Sequence, residues 1–350
     1  MEALLQETEP FLKLVELDKK SYSQLVKIML RHDSLYYTYD NPILDDTEYD
    51  YLYTLLQKYE SKPGVKPIKS SPTQKITGNI KGNLRKINHI YPMLSLDKTK
   101  TLSGVSDFLA NWNLNKNDKY YTDSFLIQHK EDGITVVLYF NHPKVNNGMF
   151  TAVTRGMGSA GEDITESFIN IPGIKEAIKN VGDQTAVLRG EAIISDENFE
   201  ASNKDGKFMN SRNLVAASLR TKDINIASDR KVQFLSYNVE NADELGLSTE
   251  LSQLEWLSNM GFETSSGYQI FPNTEEGKKD LLNYIKNYGD DLRDGIGHAI
   301  DGLVIKPNFI ANKDKIGYTE HHPKYQLAYK FKSSETRTQI KDVIWQIGKT

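Results

Sequence analysis

The chain has no cysteine. That excludes disulfides, a thiolate nucleophile, cysteine-ligated zinc and iron–sulfur clusters, and fits a reducing compartment. There is no apolar run of about 18 residues, so no segment reads as a membrane-spanning helix. The opening residues, MEALLQETEP, are acidic and lack the apolar stretch of a secretory signal. Positive charge is not in excess, since 43 Lys+Arg face 47 Asp+Glu for a net charge of -4. A strongly basic nucleic-acid coat is thereby excluded, while a local basic groove is not. Internal repeats and low-complexity tracts are also missing. Tryptophan is scarce, with 3 residues against 19 tyrosines.

What remains is 350 residues with 26% charged and 38% hydrophobic side chains and a mean hydropathy of -0.54. These values describe a globular protein of two or three domains, long enough to bury roughly three quarters of its unfolded surface. The first 60 residues read as helical. Leu25, Ile28, Met29, Leu35 and Tyr36 recur at helical spacing, and Asn41-Pro42 ends the pattern. Asp45-Asp46-Thr47-Glu48 reads as the capped start of a helix whose apolar face is Tyr49, Leu52, Leu55 and Leu56. Ser61–Pro72, rich in Pro, Gly, Lys and Ser, reads as the linker between two domains.

Beyond it the pattern turns to strands. Phe125–Lys130, Ile134–Phe140, Met149–Arg155, Ala186–Ile194, Lys231–Glu240, Gly302–Lys306 and Gln326–Lys332 are expected as strands. Asn146-Asn147-Gly148 predicts a hairpin between the second and third. Helices are expected around Thr249–Met260 and Thr274–Tyr288, so the fold class is α+β.

Charged residues keep appearing inside or at the ends of these apolar strands. They are Lys130-Glu131-Asp132-Gly133, Arg155-Gly156, Arg189-Gly190-Glu191, Asp301-Gly302 with Lys306, and Lys330-Phe331-Lys332. Lys130-Glu131-Asp132-Gly133 alone reads as a polar turn, Asp-Gly closing a hairpin. Burying charge is costly unless it is paired or binds a ligand. Convergent lysines and arginines would make a polyanion site, with Asp132, Glu191 and Asp301 holding a divalent cation or orienting the cations.

Lys130-Glu131-Asp132-Gly133 resembles the nucleotidyltransferase motif of DNA ligases and capping enzymes, whose lysine bonds covalently to a nucleotide phosphorus. Ser71-Pro72-Thr73-Gln74, Pro92–Asp97, Thr154–Gly158 with Gly161–Thr165, Asn210–Asn213 and Ser218–Arg220 are similar, in order, to signatures of NAD-dependent DNA ligases. The resemblance runs from about residue 20 to the C-terminus. It implies a small helical NMN-binding domain over 1–64, an ATP-grasp-like nucleotidyltransferase (adenylation) domain of antiparallel sheets and helices over 65–340, and the start of a truncated OB-fold or linker over 341–350.

It also implies roles. Lys130 would attack NAD, with Asp132 beside it in the catalytic motif. Tyr36, Tyr37, Asp46, Tyr49 and Asp50 would read the nicotinamide half. Asp46, Tyr49 and Asp50 share one helix face, where carboxylates suit ribose hydroxyls and a cationic ring; an ordinary acidic first turn is the alternative. Ser95, Leu96, Gln128, Arg155, Glu191, Tyr237, Asp301, Lys306 and Lys330 would bind the rest of the nucleotide. Tyr237 would stack on adenine, or is a core tyrosine. Arg212 and Arg220, with Lys204, Lys207 and Lys222, would meet DNA phosphates or form a solvated face. Mg²⁺ would assist, with no protein metal site assigned.

The chain departs from the pattern at Gln128, where the family has Glu, at Tyr37, where it has His, at Asn210-Ser211-Arg212, which lacks the usual Pro, and at Pro307, which limits pairing at the strand's end. Full ligases of this type continue into an OB-fold, a cysteine zinc site, helix-hairpin-helix repeats and a BRCT domain. The chain is therefore expected to be a fragment, one subunit of a split ligase completed in trans, or a minimal adenylyltransferase, with the native-looking Met1 favouring a natural product. Its partners would be nicked double-stranded DNA and a second subunit carrying those domains, with no membrane. Its place would be the cytoplasm of a bacterium or a virus-infected cell. An ATP-dependent polynucleotide ligase and a catalytically silent interaction subunit of the same fold are the rival readings.

Overall fold

The computed structural model describes residues 2–37, 43–44, 46–62, 64–68, 71–73, 84–221, 223–265, 267–288, 295–319 and 322–331. Asp45, the expected helix cap, the Asp40-Asn41-Pro42 stretch, Gln74, Lys222 and the segment 341–350 lie outside these residues. Among the described residues no helix is long and apolar enough to cross a membrane.

The N-terminal helices are α1 (Glu2–Leu12), α2 (Lys19–Tyr37) and α3 (Asp46–Glu60). Asp18 and Ser21 cap α2 reciprocally: Ser21 N–H donates to Asp18 Oδ1 at 2.7 Å, and Asp18 N–H donates to Ser21 Oγ at 2.9 Å. Leu25 and Met29 on α2, and Leu52 and Leu56 on α3, are fully buried. Their i, i+4 spacing puts each pair on one helix face, and those faces meet in a core separate from the others of the chain. The segment after α3 is not a free linker. Ile68 packs on this helical core, Tyr22 OH accepts from Ile68 N–H at 2.9 Å and donates to Glu60 Oε1 at 2.7 Å, and Thr73 donates to Glu60 Oε2.

Among the described residues, the remainder is built on two five-stranded sheets and a two-stranded pair. In chain order the strands are β1 (Lys86–Asn88), β2 (Asp97–Thr99), β3 (Ser124–Glu131), β4 (Ile134–Phe140), β5 (Thr151–Thr154), β6 (Ala160–Glu162), β7 (Ala186–Ile193), β8 (Gln233–Val239), β9 (Glu263–Thr264), β10 (Gln269–Pro272), β11 (Ile300–Pro307) and β12 (Leu327–Lys330). The first sheet has the order β10-β3-β11-β12-β2 and the second β5-β4-β7-β8-β9, while β1 pairs with β6. Most pairings are antiparallel; β12 with β2 and β8 with β9 are parallel. The architecture is the expected α+β class. The hairpin β4–β5 forms as expected, turning where Asn146, Asn147 and Gly148 all take positive φ. Pro307 closes β11 as its last paired residue, opposite Phe125.

Alternation along the strands sorts core from site. In the first sheet Phe125, Ile127, Leu303, Ile305 and Leu327 pack against helices α4 (Leu102–Ala110) and, later in the chain, the helix Glu275–Lys286. The opposite face carries Gln128, Lys130, Lys306 and Lys330. In the second sheet Val136, Leu138, Phe140 and Leu188 pack under a layer of helices that includes Ile174–Val181, Ser211–Arg220 and Glu250–Asn259. The opposite face carries Thr135, Arg189 and Glu191. The chain passes from the first sheet to the second across Asp132-Gly133. A Cβ on Gly133 would lie 2.1 Å from the carbonyl oxygen of Ala192, so the crossing needs glycine.

Candidate functional site

Three strands place the key cations in one row. Lys130 on β3 lies opposite Gly302 on β11, and Gly302 lies opposite Lys330 on β12. Directly opposed residues share a face, so both lysines project from the same side with only a glycine between them. A Cβ at Gly302 would lie 2.2 Å from the carbonyl oxygen of Tyr329. The register shifts between Ile300 and Gly302, leaving Asp301 as an extra residue in a β-bulge. Bulges re-aim side chains, and this one sends the Asp301 carboxylate between the two cations. Lys130 Nζ is 2.8 Å from Asp301 Oδ1 and Lys330 Nζ is 3.4 Å from Oδ2.

A second bulge serves the second sheet. Arg189 pairs with Asn238 and Gly190 with Ser236, so Tyr237 is the unpaired residue. Lys306 Nζ lies 5.8 Å from the centre of its ring and donates to its carbonyl oxygen at 3.4 Å. The two sheets therefore meet through Lys306 and Tyr237.

Lys306 is 3% exposed. Glu250 Oε2, at the first turn of its helix, stands 3.2 Å from Lys306 Nζ, and Lys313 Nζ is 2.7 Å from Glu250 Oε1. Burial pushes the Lys306 ammonium down, and Glu250 offsets this only in part, with the nearby charges of Lys313 and Arg189 adding to the lowering. Burial raises Glu250, but the two ammoniums outweigh it and hold the carboxyl below its usual range.

Glu191 stands opposite Thr135 in the second sheet. Burial raises its carboxyl to about 7; Arg212, Lys130 and a Thr135 hydrogen bond pull it the other way without cancelling the effect. Asp132, just past β3, pairs with Arg212 Nη1 at 3.3 Å. Arg155, after β5, donates from Nε to the Met93 carbonyl at 3.2 Å and from Nη2 to Ser95 Oγ at 2.8 Å. Ser95 and Arg155 are thus joined, with Leu96 half-buried beside them. Gln128, two residues before Lys130 on the same face, is 2% exposed, and its Nε2 is buried without a hydrogen-bond partner.

Lys130, Asp132, Arg155, Glu191, Tyr237, Asp301, Lys306, Lys330, Gln128 and Arg212 therefore gather at the meeting of the two sheets. Arg212 comes to Asp132 at this centre. Arg220 donates from Nε to Glu162 Oε2 at 2.7 Å, where Glu162 is buried. Each of these two arginines has a carboxylate within the chain.

In the helical part, Tyr49 OH donates to Asp33 Oδ1 at 2.6 Å, and burial raises the Asp33 carboxyl to about 6. The side chains of Tyr36, Tyr37, Asp46 and Asp50 lie outside the described residues.

Glu250 is not among the residues the sequence singles out, and Gly302 is singled out only as the neighbour of Asp301, not as the spacer between Lys130 and Lys330. Glu250 reads as a routine acidic residue at a helix start. Gly302 carries no charge to mark it, although its neighbour Asp301 does. The Arg189–Glu240 ion pair, 2.7 Å long and buried, had a signal in the arginine set within an apolar strand.

The family described as NAD-dependent DNA ligase adenylation domain matches residues 81–334. The family described as DNA ligase-like, N-terminal NAD+-binding domain matches residues 16–77. A DNA ligase of Clostridium kluyveri is 33% identical over 338 residues, covering 95% of this chain and 49% of its own length. A DNA ligase of Mycoplasma genitalium is 32% identical over 335 residues, covering 95% of this chain and 49% of its own. Among solved structures, an archaeal ATP-dependent RNA ligase is similar over 68% of this chain and 47% of that one, with 16% identity and a TM-score of 0.39. The chain spans about half the length of the curated relatives it matches. On the ordered motifs and these matches, the chain belongs to the NAD-dependent DNA ligase family, of which it carries the NAD+-binding and adenylation parts.

Proposed function

We propose that this chain is the self-adenylating part of a nick-sealing system: Lys130 becomes bonded to AMP, NMN leaves, and the AMP passes to the 5′-phosphate of nicked duplex DNA. The observation that carries the reading is the row Lys130–Gly302–Lys330 with Asp301 inserted between the two ammoniums. An amine attacks only when neutral. Asp301 Oδ1 fixes Nζ until its proton leaves, and Lys330 contributes positive charge at the same place for phosphoryl oxygens.

The residues present fit NAD. Gln128 Nε2 is a buried donor lacking an acceptor, which an adenine edge would supply. Tyr237 offers a ring face over the adjoining sheet. Arg155 supplies a guanidinium beside Ser95. Tyr49, fixed by Asp33, would serve the nicotinamide half. NAD supplies the adenylyl group.

Among the described residues no cluster of three or more His, Asp or Glu is placed to hold a metal ion. Mg²⁺ needs no such cage, because it keeps several waters and is held by one or two carboxylates plus phosphate. Glu191 and Asp132 suit that role. Glu191 in particular is a buried carboxylate whose cationic neighbours do not offset its burial. The cation would neutralise phosphoryl charge.

The division into a helical NMN-reading part and an adenylation part rests on their separate hydrophobic cores. The DNA grip, and the OB-fold, zinc and helix-hairpin-helix parts, would come from elsewhere, in trans or in a longer protein. The test is incubation with NAD or ATP labelled in the adenylyl group. Label on the protein from NAD, none from ATP and none in Lys130→Ala supports the reading. Label from ATP favours an ATP-dependent ligase, no label from either nucleotide favours a silent subunit, and full labelling of Lys130→Ala contradicts the assignment of Lys130.

A further inference from the structure

We infer that His298 and Ser265 are positioning residues for Lys130, acting through Glu131. This rests on the assignment of Lys130 as the adenylated residue.

Alternation along β3 sends Lys130 to the site and Glu131 to the opposite face. Glu131 is 7% exposed. Both of its carboxylate oxygens are held. His298 Nε2 lies 2.6 Å from Oε2, and Ser265 Oγ donates to Oε1 at 2.7 Å. An ionised carboxylate only accepts, so Nε2 carries the proton. The backbone is tied at the next residue, where Asp132 N–H donates to the Ala299 carbonyl at 3.0 Å.

The three partners come from different parts of the fold. His298 precedes β11 and bridges to Ser195 beyond β7. Ser265 follows β9, the edge of the second sheet. Glu131 ends β3 in the first sheet. The clamp therefore grips both sheets at the point where the chain crosses between them, on the residue flanked by Lys130 and Asp132.

Glu131 also lies opposite Ile300, the residue on one side of the bulge that turns Asp301 toward Lys130. Loosening Glu131 would loosen both ends of the Lys130–Asp301 contact at once. A buried carboxylate stripped of one partner is also left poorly satisfied, which drives it to a new position. A shift of about 1 Å in a reacting group can cost on the order of a hundredfold in rate. A device that touches neither nucleotide nor reacting atoms can thus control the reaction through geometry alone.

The test compares the full chain with His298→Ala, Ser265→Ala and His298→Gln in single-turnover adenylation over a range of NAD concentrations. His298→Ala is expected to lower the limiting rate at least tenfold while KM for NAD stays within twofold. Ser265→Ala should lower it at least threefold. His298→Gln, whose amide N–H can still reach the carboxylate, should recover at least half the rate. Unchanged limiting rates in both alanine variants, or no recovery in His298→Gln, would overturn the inference. Should His298→Ala not fold, Ser265→Ala carries the comparison, as it removes a single hydroxyl. A readout independent of NAD is the ¹³Cε NMR chemical shift of Lys130 at one fixed pH in protein carrying ¹³C-lysine. The Lys130 signal should move in His298→Ala and return to the wild-type position in His298→Gln; an unmoved signal in the alanine variant contradicts the inference. If the wild-type chain takes no label from NAD, the functional assignment fails, while the lysine signal still decides the bracing.

Discussion

Glu191 is a buried carboxylate whose proton is held more tightly in the folded chain than in the unfolded one. Its carboxyl rises from 4.5 to about 7, mainly through burial. Between those values the folded state binds the extra proton. Glu191 thus adds stability fully below pH about 4.5 and loses it as pH rises through about 7. Glu191→Gln keeps a neutral side chain at every pH. The variant should gain on wild type between pH 4.5 and 7.5, by at most roughly 3 kcal/mol, measured by urea unfolding at both ends. An unchanged difference between the two would contradict the burial argument. Gln128 supports a second prediction at this scale. Its Nε2 has no partner in the chain, so Gln128→Leu should leave stability equal or higher while raising KM for NAD about tenfold, as one lost hydrogen bond costs about 1.4 kcal/mol. The charged residues that gather between the two sheets were legible in the sequence, because charges inside apolar strands stand out. Their pairings were not: Asp301 with two lysines, Lys306 with Glu250 and Arg212 with Asp132 each join positions distant in the chain.

Elements explain why those pairings escape a linear reading. Asp301 and Tyr237 both sit at β-bulges. A bulge is a property of two strands, and neither strand's alternation announces it. The strands themselves were readable, since β3, β4 and β7 are long apolar runs, and the hairpin turn was marked by Asn146-Asn147-Gly148. The short strands β1, β2, β6 and β9 were not, because two or three residues show no period. Gly133 yields the prediction at this scale. Its Cα faces the Ala192 carbonyl so closely that a methyl would sit 2.1 Å away, and backbone cannot yield as a side chain end can. Gly133→Ala should lower the melting temperature by several degrees, equivalent to roughly 1–3 kcal/mol, and slow adenylation by moving Asp132. A melting curve matching wild type would show that the crossing has room.

At the scale of the whole molecule, the three N-terminal helices bury their own core, and the segment through Thr73 is tied back to Glu60. The two sheets hold their cores independently. Removing residues 1–73 should therefore leave a cooperatively folding remainder by calorimetry, and should abolish labelling from NAD if the helices read the nicotinamide half. Labelling at the wild-type rate would assign NAD recognition to the sheets instead. The separation into a helical and a sheet part was visible in the change of periodicity, whereas the anchoring of the Ser61–Pro72 stretch was not, since Pro, Gly and Ser mark irregular backbone without saying what it packs against. The central claim is that Lys130 becomes covalently adenylated by NAD. Peptide mass mapping of NAD-treated protein, with NMN measured in the same sample, tests it most directly. The account predicts one AMP on the peptide containing Lys130, a matching amount of NMN and no adduct from ATP. An adduct on another residue, or none with NAD, would contradict it.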